Sequence, residues 1–513
     1  MTKSKNEQID ENNRMELLNK AREMFTYIEE AHKSGLAAHE VEETLFRKII
    51  EMGRRAMEMF FLLCGNGDEG EEITLADGRP VRRLNELHKR EYLSVFGLYE
   101  LFRVVYGSRE GQKIEHVPLD AQLQLPESKF SYLLQDWDQS LIVETPYAKV
   151  NETIAKILGI RQSVNSLERA NRKMSAAVSA FWSSQSIPPA EEEGTLMVCS
   201  ADGKGVPLRR QGEAPAKKDS NPLSAPKKEE KSGQKKVSLV GAVYTVDPYK
   251  RTPEAVLQAL FRDSQHAFEA PHSRPEPRFK RVRASLLRDA MDTSKPSYDE
   301  IFDWLAQEVA NRNPEGCKPV TFIMDGQESL WNAAQTYLPD VAIIEILDLL
   351  HACIYVWNAA HLFFKKKSNA ASRFAKENIL RILRGEVDRV IRGLRWKGTH
   401  EKLSKKRLEE LEKICGYFEN NRHRMAYNEY LEAGYPIASG VIEGACRHVV
   451  KDRMERSGMR WILDGAHAML GLRCIYLSGS WDEFTRFRIK RETERLYPGH
   501  AANDDAYECL RVA

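Results

Sequence analysis

Leu196-Met197-Val198-Cys199-Ser200-Ala201-Asp202-Gly203 and Val320-Thr321-Phe322-Ile323-Met324-Asp325-Gly326 are two apolar runs that end in the same Asp-Gly pair. A buried strand ending in an acid sets its carboxylate at the carboxyl edge of a sheet, where open α/β folds bind their ligands. A third carboxylate, Glu443, lies in a later helical stretch, Ser439-Gly440-Val441-Ile442-Glu443-Gly444-Ala445. Converging acids repel one another unless a cation lies between them, so the pattern points to a metal-dependent nuclease core. Hard Mg²⁺ ions would bind there, with phosphate oxygens completing the shell. Each Asp-Gly alone is an ordinary turn signal; it is the order of two strand-end acids and one helical acid that separates this chain from that simpler reading.

Working outward, residues 237–246 (Val-Ser-Leu-Val-Gly-Ala-Val-Tyr-Thr-Val) form a β-branched run closed by Asp247-Pro248. Residues 209–236 between the first two runs are poor in apolar side chains and rich in Lys, Pro, Ser and Glu, which predicts a flexible insertion within a strand hairpin. Helical spacing follows around 253–268 and 296–312, then the second acid-bearing strand, a helix near 327–337 and a strand over 341–347. That succession is compatible with a ribonuclease-H-like mixed sheet. Residues 352–434 read as helix almost throughout and separate the second acid from the third.

The N-terminal part reads as helices over 13–62, a Gly-rich break at 65–70, and short strands at 92–97 and 101–106. Residues 147–169 have the pattern of a helix-turn-helix, with Ala155 at the crossing and Gly159 in the turn, although a plain helical hairpin has the same pattern. If this segment binds DNA, Arg161, Arg169, Arg172 and Lys173 would contact phosphates. The expected organisation is an α/β protein in five segments. These are 1–125 (helical and small β region), 126–190 (DNA-binding region), 191–351 (first part of the catalytic core), 352–434 (helical insertion) and 435–513 (remainder of the core).

At 513 residues, with a formal charge of +2, 42% hydrophobic and 30% charged residues, the composition is that of an ordinary soluble protein with room for several domains. No apolar run approaches a membrane span and the polar start carries no signal segment, which predicts a cytosolic protein, nucleoid-associated if it binds DNA. The eight cysteines are spread singly, arguing against a zinc ribbon and against a disulfide framework. Charge is local: basic runs at 278–283, 365–367, 392–397 and 402–407 are either ligand-facing surfaces or solvated helix faces.

Two further patterns attend the acids. Asp348-x-x-His351 leaves the end of the last predicted strand, placing an acid and a base beside the metals, or else a histidine that only caps the next helix. Glu443, Arg447 and Lys451 fall at i, i+4 and i+8, one α-helical face with cations able to hold phosphate beside a metal-binding acid, or a simple salt-bridge row. Arg453, Arg460 and Trp461 continue the basic character and join the expected DNA contacts.

Three motifs, Tyr417-Phe418-Glu419-Asn420-Asn421-Arg422-His423-Arg424-Met425-Ala426-Tyr427, Gly434-Tyr435-Pro436-Ile437-Ala438-Ser439-Gly440-Val441-Ile442-Glu443 and Ser457-Gly458-Met459-Arg460-Trp461, closely resemble the carboxy-terminal signature of bacterial insertion-sequence transposases of the ISKra-four family. Upstream the resemblance extends through Asp325-Gly326, Asp348-x-x-His351, Asp202-Gly203 and Pro118-Leu119-Asp120. It implies a DDE transposase with a ribonuclease-H-like core, an all-helical insertion before the Glu, and Mg²⁺-dependent cutting and joining of DNA. By motif, Asp202, Asp325 and Glu443 would be the acidic triad holding two Mg²⁺ ions, replaceable by Mn²⁺, and His351 the Asp-x-x-His member. Partners would be double-stranded DNA, as element ends and target, and further copies of the chain in a homodimer or larger assembly, with no membrane. One departure is plain: relatives carry cysteine pairs ahead of Pro-Leu-Asp, and nothing between Ile73 and Lys113 is cysteine. The rival readings are a domesticated DNA-binding protein without catalysis and a metal-dependent nuclease that cuts without joining.

Overall fold

The computed structural model describes residues 5–109, 113–209, 235–261, 274–286, 298–456 and 459–498, with side chains from residue 14 onward. Most of the predicted insertion 209–236, and Ser457-Gly458 of the third motif, lie outside the described residues. The chain forms two compact units, one of residues 1–177 with 481–513, the other of residues 178–480. These limits differ from the five sequence segments: residues 126–177, and the chain from Trp481 onward, belong with the N-terminal unit. No helix among the described residues is long and apolar enough to cross a membrane.

In the N-terminal unit α1 (Lys5–Lys33) and α2 (Ala38–Cys64) pair as a helical hairpin, with the Glu40 carboxylate accepting from the Ala37 amide at 3.1 Å. Strands β1 (Glu72–Thr74), β2 (Pro80–Arg83), β3 (His88–Ser94), β4 (Gly97–Arg103) and β5 (Tyr106–Gly107) follow as a three-stranded sheet, β1-β2-β5, and a β3-β4 hairpin. Where the family resemblance implies cysteine ligands, a small apolar core of Val81, Val104 and Tyr106 packs with Ile73 and Leu75. The Tyr106 hydroxyl accepts from the Glu69 amide and donates to the Gly70 carbonyl, both at 2.9 Å. The residues present there do not fit a thiolate metal site, and packing does that job instead.

After α3 (Pro118–Gln122), whose buried Asp120 is gripped by Arg90 and Arg103, come α4 (Tyr132–Ile142), α5 (Tyr147–Leu158) and α6 (Val164–Ser175). Gly159 closes α5 in the left-handed region at φ 73°, and the Ser163 hydroxyl caps α6 by accepting from the Ser166 amide at 3.0 Å. The helix Trp481–Leu496 lies against α4, its indole Nε1 donating to Asp136 at 2.8 Å.

In the second unit, after α7 (Val178–Ser184), strands β6 (Leu196–Pro207) and β7 (Lys235–Val246) pair antiparallel from Leu196↔Val246 to Pro207↔Lys235. The predicted insertion thus joins two paired strands, as expected. Helix α8 (Pro253–Phe261), strand β8 (Arg278–Leu286), α9 (Tyr298–Arg312), β9 (Val320–Met324), α10 (Glu328–Tyr337) and β10 (Ile343–Leu347) complete a five-stranded mixed sheet of order β10-β9-β6-β7-β8. The β6-β9 and β9-β10 pairings are parallel; the rest are antiparallel.

Alternation along the strands builds two cores. Met197, Cys199, Ala201 and Phe322 face α9 and α10, against Phe302, Trp304 and Trp331. Val198, Ile323 and Ile346 face the opposite way, against Val356, Ile379 and Phe418 of the helical block. That block is α11 (Leu349–Phe363), α12 (Asn369–Leu383), α13 (Val387–His400), α14 (Lys405–Asn421) and α15 (Tyr427–Ala433). Then come α16 (Gly440–Ala445), a π-helical stretch Cys446–Lys451, α17 (Asp452–Met454) and α18 (Leu463–Leu477).

The basic run 278–283 is strand β8, exposed over 278–280 and turning inward from Arg281. Arg278 pairs with Asp247 and Arg281 with Glu308, each at 2.9 Å, while Arg283 lies 5.4 Å from the Trp182 ring and 4.9 Å from that of Trp304. Burial pulls the Arg283 pKa down to about 10. Cationic side chains hid the strand from a hydrophobic count because the buried Glu308 receives the charge of Arg281 and two aromatic faces that of Arg283, while Arg278 and Lys280 stay exposed. The run 392–397 is likewise mostly paired, Arg395 with Glu412 and Glu419, Lys397 with Glu401.

Candidate active site

Strand register brings the acids together. Cys199 of β6 pairs with Phe322 of β9, so Asp202 and Asp325, three residues further along each strand, stand level. Leu347 of β10 pairs with Met324, and the ladder continues through the Asp348 amide donating to the Met324 carbonyl at 2.9 Å, so Asp348 stands level with Asp325. Counting by twos from Val198, Ile323 and Ile346 puts all three carboxylates on the face covered by the helical block. Asp202 is not at a strand end, as its Asp-Gly had indicated: β6 runs on to Pro207, held by β7, and only its parallel partner β9 has ended.

Asp325 follows β9 directly. Its Oδ1 accepts from the Gln327 amide at 2.9 Å, and its carbonyl accepts from the Trp331 indole at 2.8 Å, fixing the turn into α10. Burial raises its carboxyl above the usual range; the Gln327 amide opposes this and the Asp202 charge adds to it.

Glu443 enters from the first turn of α16. Its amide donates to the Ser439 carbonyl at 3.0 Å, and the Ser439 hydroxyl donates to the Asp348 carboxylate. Half-buried, its carboxyl is raised by burial first, then by the Asp348 charge, with Asp202 adding to the rise. Asp348, His351 and Glu443 each bring one ligand atom within 4.8 Å of the others, the one such grouping among the described residues, and neither Asp202 nor Asp325 is part of it. Asp202 and Asp325 border it through the Coulombic coupling just described.

His351 is in the first turn of α11, its Nδ1 3.3 Å from Asp348 Oδ2. The hydrogen bond to Asp348 is the largest reason its pKa rises to about 9, burial opposing and the charges of Asp348, Asp325 and Asp202 adding. The helix cap that the simpler reading gave to histidine is Asp348 itself, whose Oδ1 accepts from the Leu350 amide at 2.8 Å. Fully buried, Asp348 therefore spends its oxygens on Leu350, His351 and Ser439, which aims the imidazole Nε2 away from it.

Sequence reading had not picked out Tyr417. Its ring lies on Gly326, where a Cβ would come within 2.3 Å of Cε2 and 2.9 Å of the hydroxyl, so the glycine after Asp325 is a packing requirement. Tyr355 stacks on it, centroids 3.6 Å apart and planes 9° apart. The Tyr417 hydroxyl is buried beside the Gly326 amide, which opposes the rise in its pKa, and has no acceptor for its proton among the described residues. Its pKa is raised by burial first, then by Tyr355 and Asp325. The signal was present in the Tyr417–Tyr427 motif, but only tertiary folding sets it on the second acid.

The expected DNA contacts fare unequally. Arg161, Arg169 and Arg172 are exposed, whereas Lys173 is paired with Glu127 at 2.9 Å. Arg447 and Lys451 are exposed, with Arg447 3.6 Å from Asp452. The π-helical stretch Cys446–Lys451 breaks the α-helical phase, so Glu443, Arg447 and Lys451 do not form the straight row their spacing implied. Arg473 holds that stretch, its guanidinium donating to the carbonyls of His448 and Val449. Arg460 is exposed. Arg453 is fully buried 4.9 Å from the Trp461 ring, whose indole donates to the Met454 carbonyl at 3.1 Å. This pair belongs to the core and offers nothing to a duplex.

No protein-family model matches the chain, and no curated protein matches it. Among solved structures it is similar to the Drosophila P element transposase strand transfer complex, at 11% identity over 70% of this chain and 81% of that chain, with a TM-score of 0.24. A TM-score of that size establishes no common fold.

Proposed function

We infer that this protein is a metal-dependent DNA strand transferase of the DDE type, built on a ribonuclease-H-like sheet and related to the ISKra-four transposases. The observation that carries the reading is the level placement of Asp202 and Asp325 on neighbouring parallel strands, with Glu443 brought to the same carboxylate cluster from 118 residues beyond Asp325. The order β10-β9-β6-β7-β8, three antiparallel strands followed by two parallel additions beside β6, supports the fold assignment. Asp325 and Glu443, held above their usual range by burial and by the neighbouring charges of Asp202 and Asp348, fit a site completed by cations.

Asp202, Asp325 and Glu443 would hold two Mg²⁺ or Mn²⁺ ions, which when bound would supply the charge that activates a hydroxyl and stabilises a leaving oxygen at phosphorus. Asp348 orients His351 so that Nε2 can donate to a phosphate oxygen, and the raised pKa keeps that donor protonated at neutral pH. The Tyr417 hydroxyl, with no acceptor of its own, is placed to donate beside Asp325. Arg161, Arg169, Arg172, Arg447, Lys451 and Arg460 remain the proposed phosphate contacts.

Tyr417→Phe keeps the stacked ring and removes only the hydroxyl. One neutral hydrogen bond made in the transition state is worth about 1–1.5 kcal/mol, so single-turnover cleavage should slow about tenfold. The thermal midpoint should stay about level, because the buried O–H removed has no acceptor for its proton. A wild-type rate would take Tyr417 out of the chemistry.

Cation binding gives a test of the site that does not depend on the DNA. An acid whose pKa rises on folding costs stability in its charged form, and that cost disappears as pH falls through the folded pKa. Both Asp325 and Glu443 are raised, so the metal-free protein should gain stability on mild acidification from pH 7.5, and a divalent ion should replace the proton. Saturation at about 100 times Kd contributes ~2.7 kcal/mol, or roughly 5 °C in the midpoint of a unit this size. Asp325→Asn should lose most of the Mn²⁺-induced shift while being no less stable without metal. Equal Mn²⁺ shifts in wild type and variant would contradict the assignment.

A further inference from the structure

The α1-α2 hairpin keeps a second apolar side on each helix. Met15, Leu18, Phe25 and Ile28 recur at spacings of three and seven along α1, and Phe46, Ile49, Phe60 and Leu63 at three and eleven along α2, so each set falls on one side of its helix. All eight are between 39% and 64% exposed, Phe25 most of all, while Ala31 and Phe61 are the hairpin's buried apolar side chains among the described residues. We propose that this hairpin is the surface through which two copies of the chain associate, the helices of one copy packing against those of the other.

Area and charge identify the occupant. The eight exposed fractions together equal about four fully exposed large side chains, roughly 800 Å² at ~200 Å² each, against the ~800 Å² per partner of a standard stable interface. Residues 5–64 carry twelve acidic and nine basic side chains, a balance of −3 that repels nucleic acid and anionic lipid and leaves a protein surface as the fitting occupant. Helices of 29 and 27 residues are each ~40 Å long, and an antiparallel pair with outward apolar stripes is half of a four-helix bundle, which a two-fold axis completes with identical patches. Beside Phe60 a cavity of about 290 Å³, lined by Met57, Phe61, Tyr92, Leu123 and Leu125, offers a hole for a side chain of the second copy. The inference does not depend on the catalytic reading.

Light scattering on the full chain during size-exclusion chromatography tests it. At about 20 μM the wild type should elute with twice the 58.8 kDa chain mass and should hold together in 1 M NaCl, because the contact is apolar. Phe25→Glu with Leu63→Glu should give a monomer of unchanged far-ultraviolet helix signal, and Phe25→Gln with Leu63→Gln should weaken the dimer at least tenfold. Should the Glu variant lose helix signal, the Gln variant decides. Trp396→Glu, on an exposed face of α13, should remain dimeric. A wild type that runs as a monomer, or a dimer unaffected by the Gln substitutions, overturns the proposal.

Discussion

Single replacement of Asp202, Asp325 or Glu443 by alanine is expected to lower metal-dependent DNA cleavage by on the order of 10³-fold or more, with DNA affinity largely retained. Each acid is one of the few anionic ligands available to a two-cation site, and losing one removes charge stabilisation that operates only in the transition state. The proposed phosphate contacts are separate side chains that hold no metal, so binding should survive. The fold should survive as well: Asp325 and Glu443 are destabilised in their charged form by burial and by their acidic neighbours, so removing either relieves repulsion. Single-turnover cleavage beside a binding titration of the same variant is the check. A purified variant that cuts at the wild-type rate removes that residue from the triad.

The second large effect concerns His351 and its anchor. His351→Ala should slow cleavage about 10²-fold, the lower range for a positioned proton donor, with little change in stability at about pH 10 or above. Asp348→Ala should be costly to the fold: it removes the α11 cap, worth ~1 kcal/mol, and two further hydrogen bonds to a buried carboxylate, about 3 kcal/mol in all. The pH dependence has a definite sign. The His351 pKa is raised from 6.5 to about 9 by Asp348, so the pair's contribution is fully present below pH 6.5 and is lost as pH rises through about 9. In metal-free protein the stability gap between wild type and His351→Gln should therefore be widest near pH 6 and close by about pH 10. Urea unfolding at several pH values measures it. A gap independent of pH would mean that imidazolium and Asp348 do not pair.

Much of the fold around the acidic cluster was legible because it rests on local pattern. Apolar runs gave β6, β7, β9 and β10, and helical spacing gave the hairpin α1-α2 and the block α11 to α15. Strand β8 was missed because Arg278, Lys280, Arg281 and Arg283 masked its alternation; Asp247, Glu308, Trp182 and Trp304, the partners of the three arginines, come from distant parts of the chain. The register that levels Asp202 with Asp325 is likewise a tertiary fact, as is the Tyr417 ring above Gly326. Arg453 and Trp461 looked like a basic-aromatic surface and are a buried pair, because residue type alone does not say which side of a helix faces the core. The π-helical stretch after Glu443 left no sequence trace that α-helical spacing could detect.

The most direct test of the strand-transferase reading is joining itself. Inverted repeats flanking the coding sequence would supply a duplex end; this end, labelled and carrying a free 3′-hydroxyl, is incubated with supercoiled plasmid, the full-length protein and Mg²⁺ or Mn²⁺. The predicted result is a labelled plasmid product that forms with metal, vanishes with chelator and is absent with Asp202→Ala. Cutting without any joined product would reduce the protein to a nuclease on the same site. A wild type that binds the duplex yet neither cuts nor joins it, or that joins it no better than Asp202→Ala, would contradict the account.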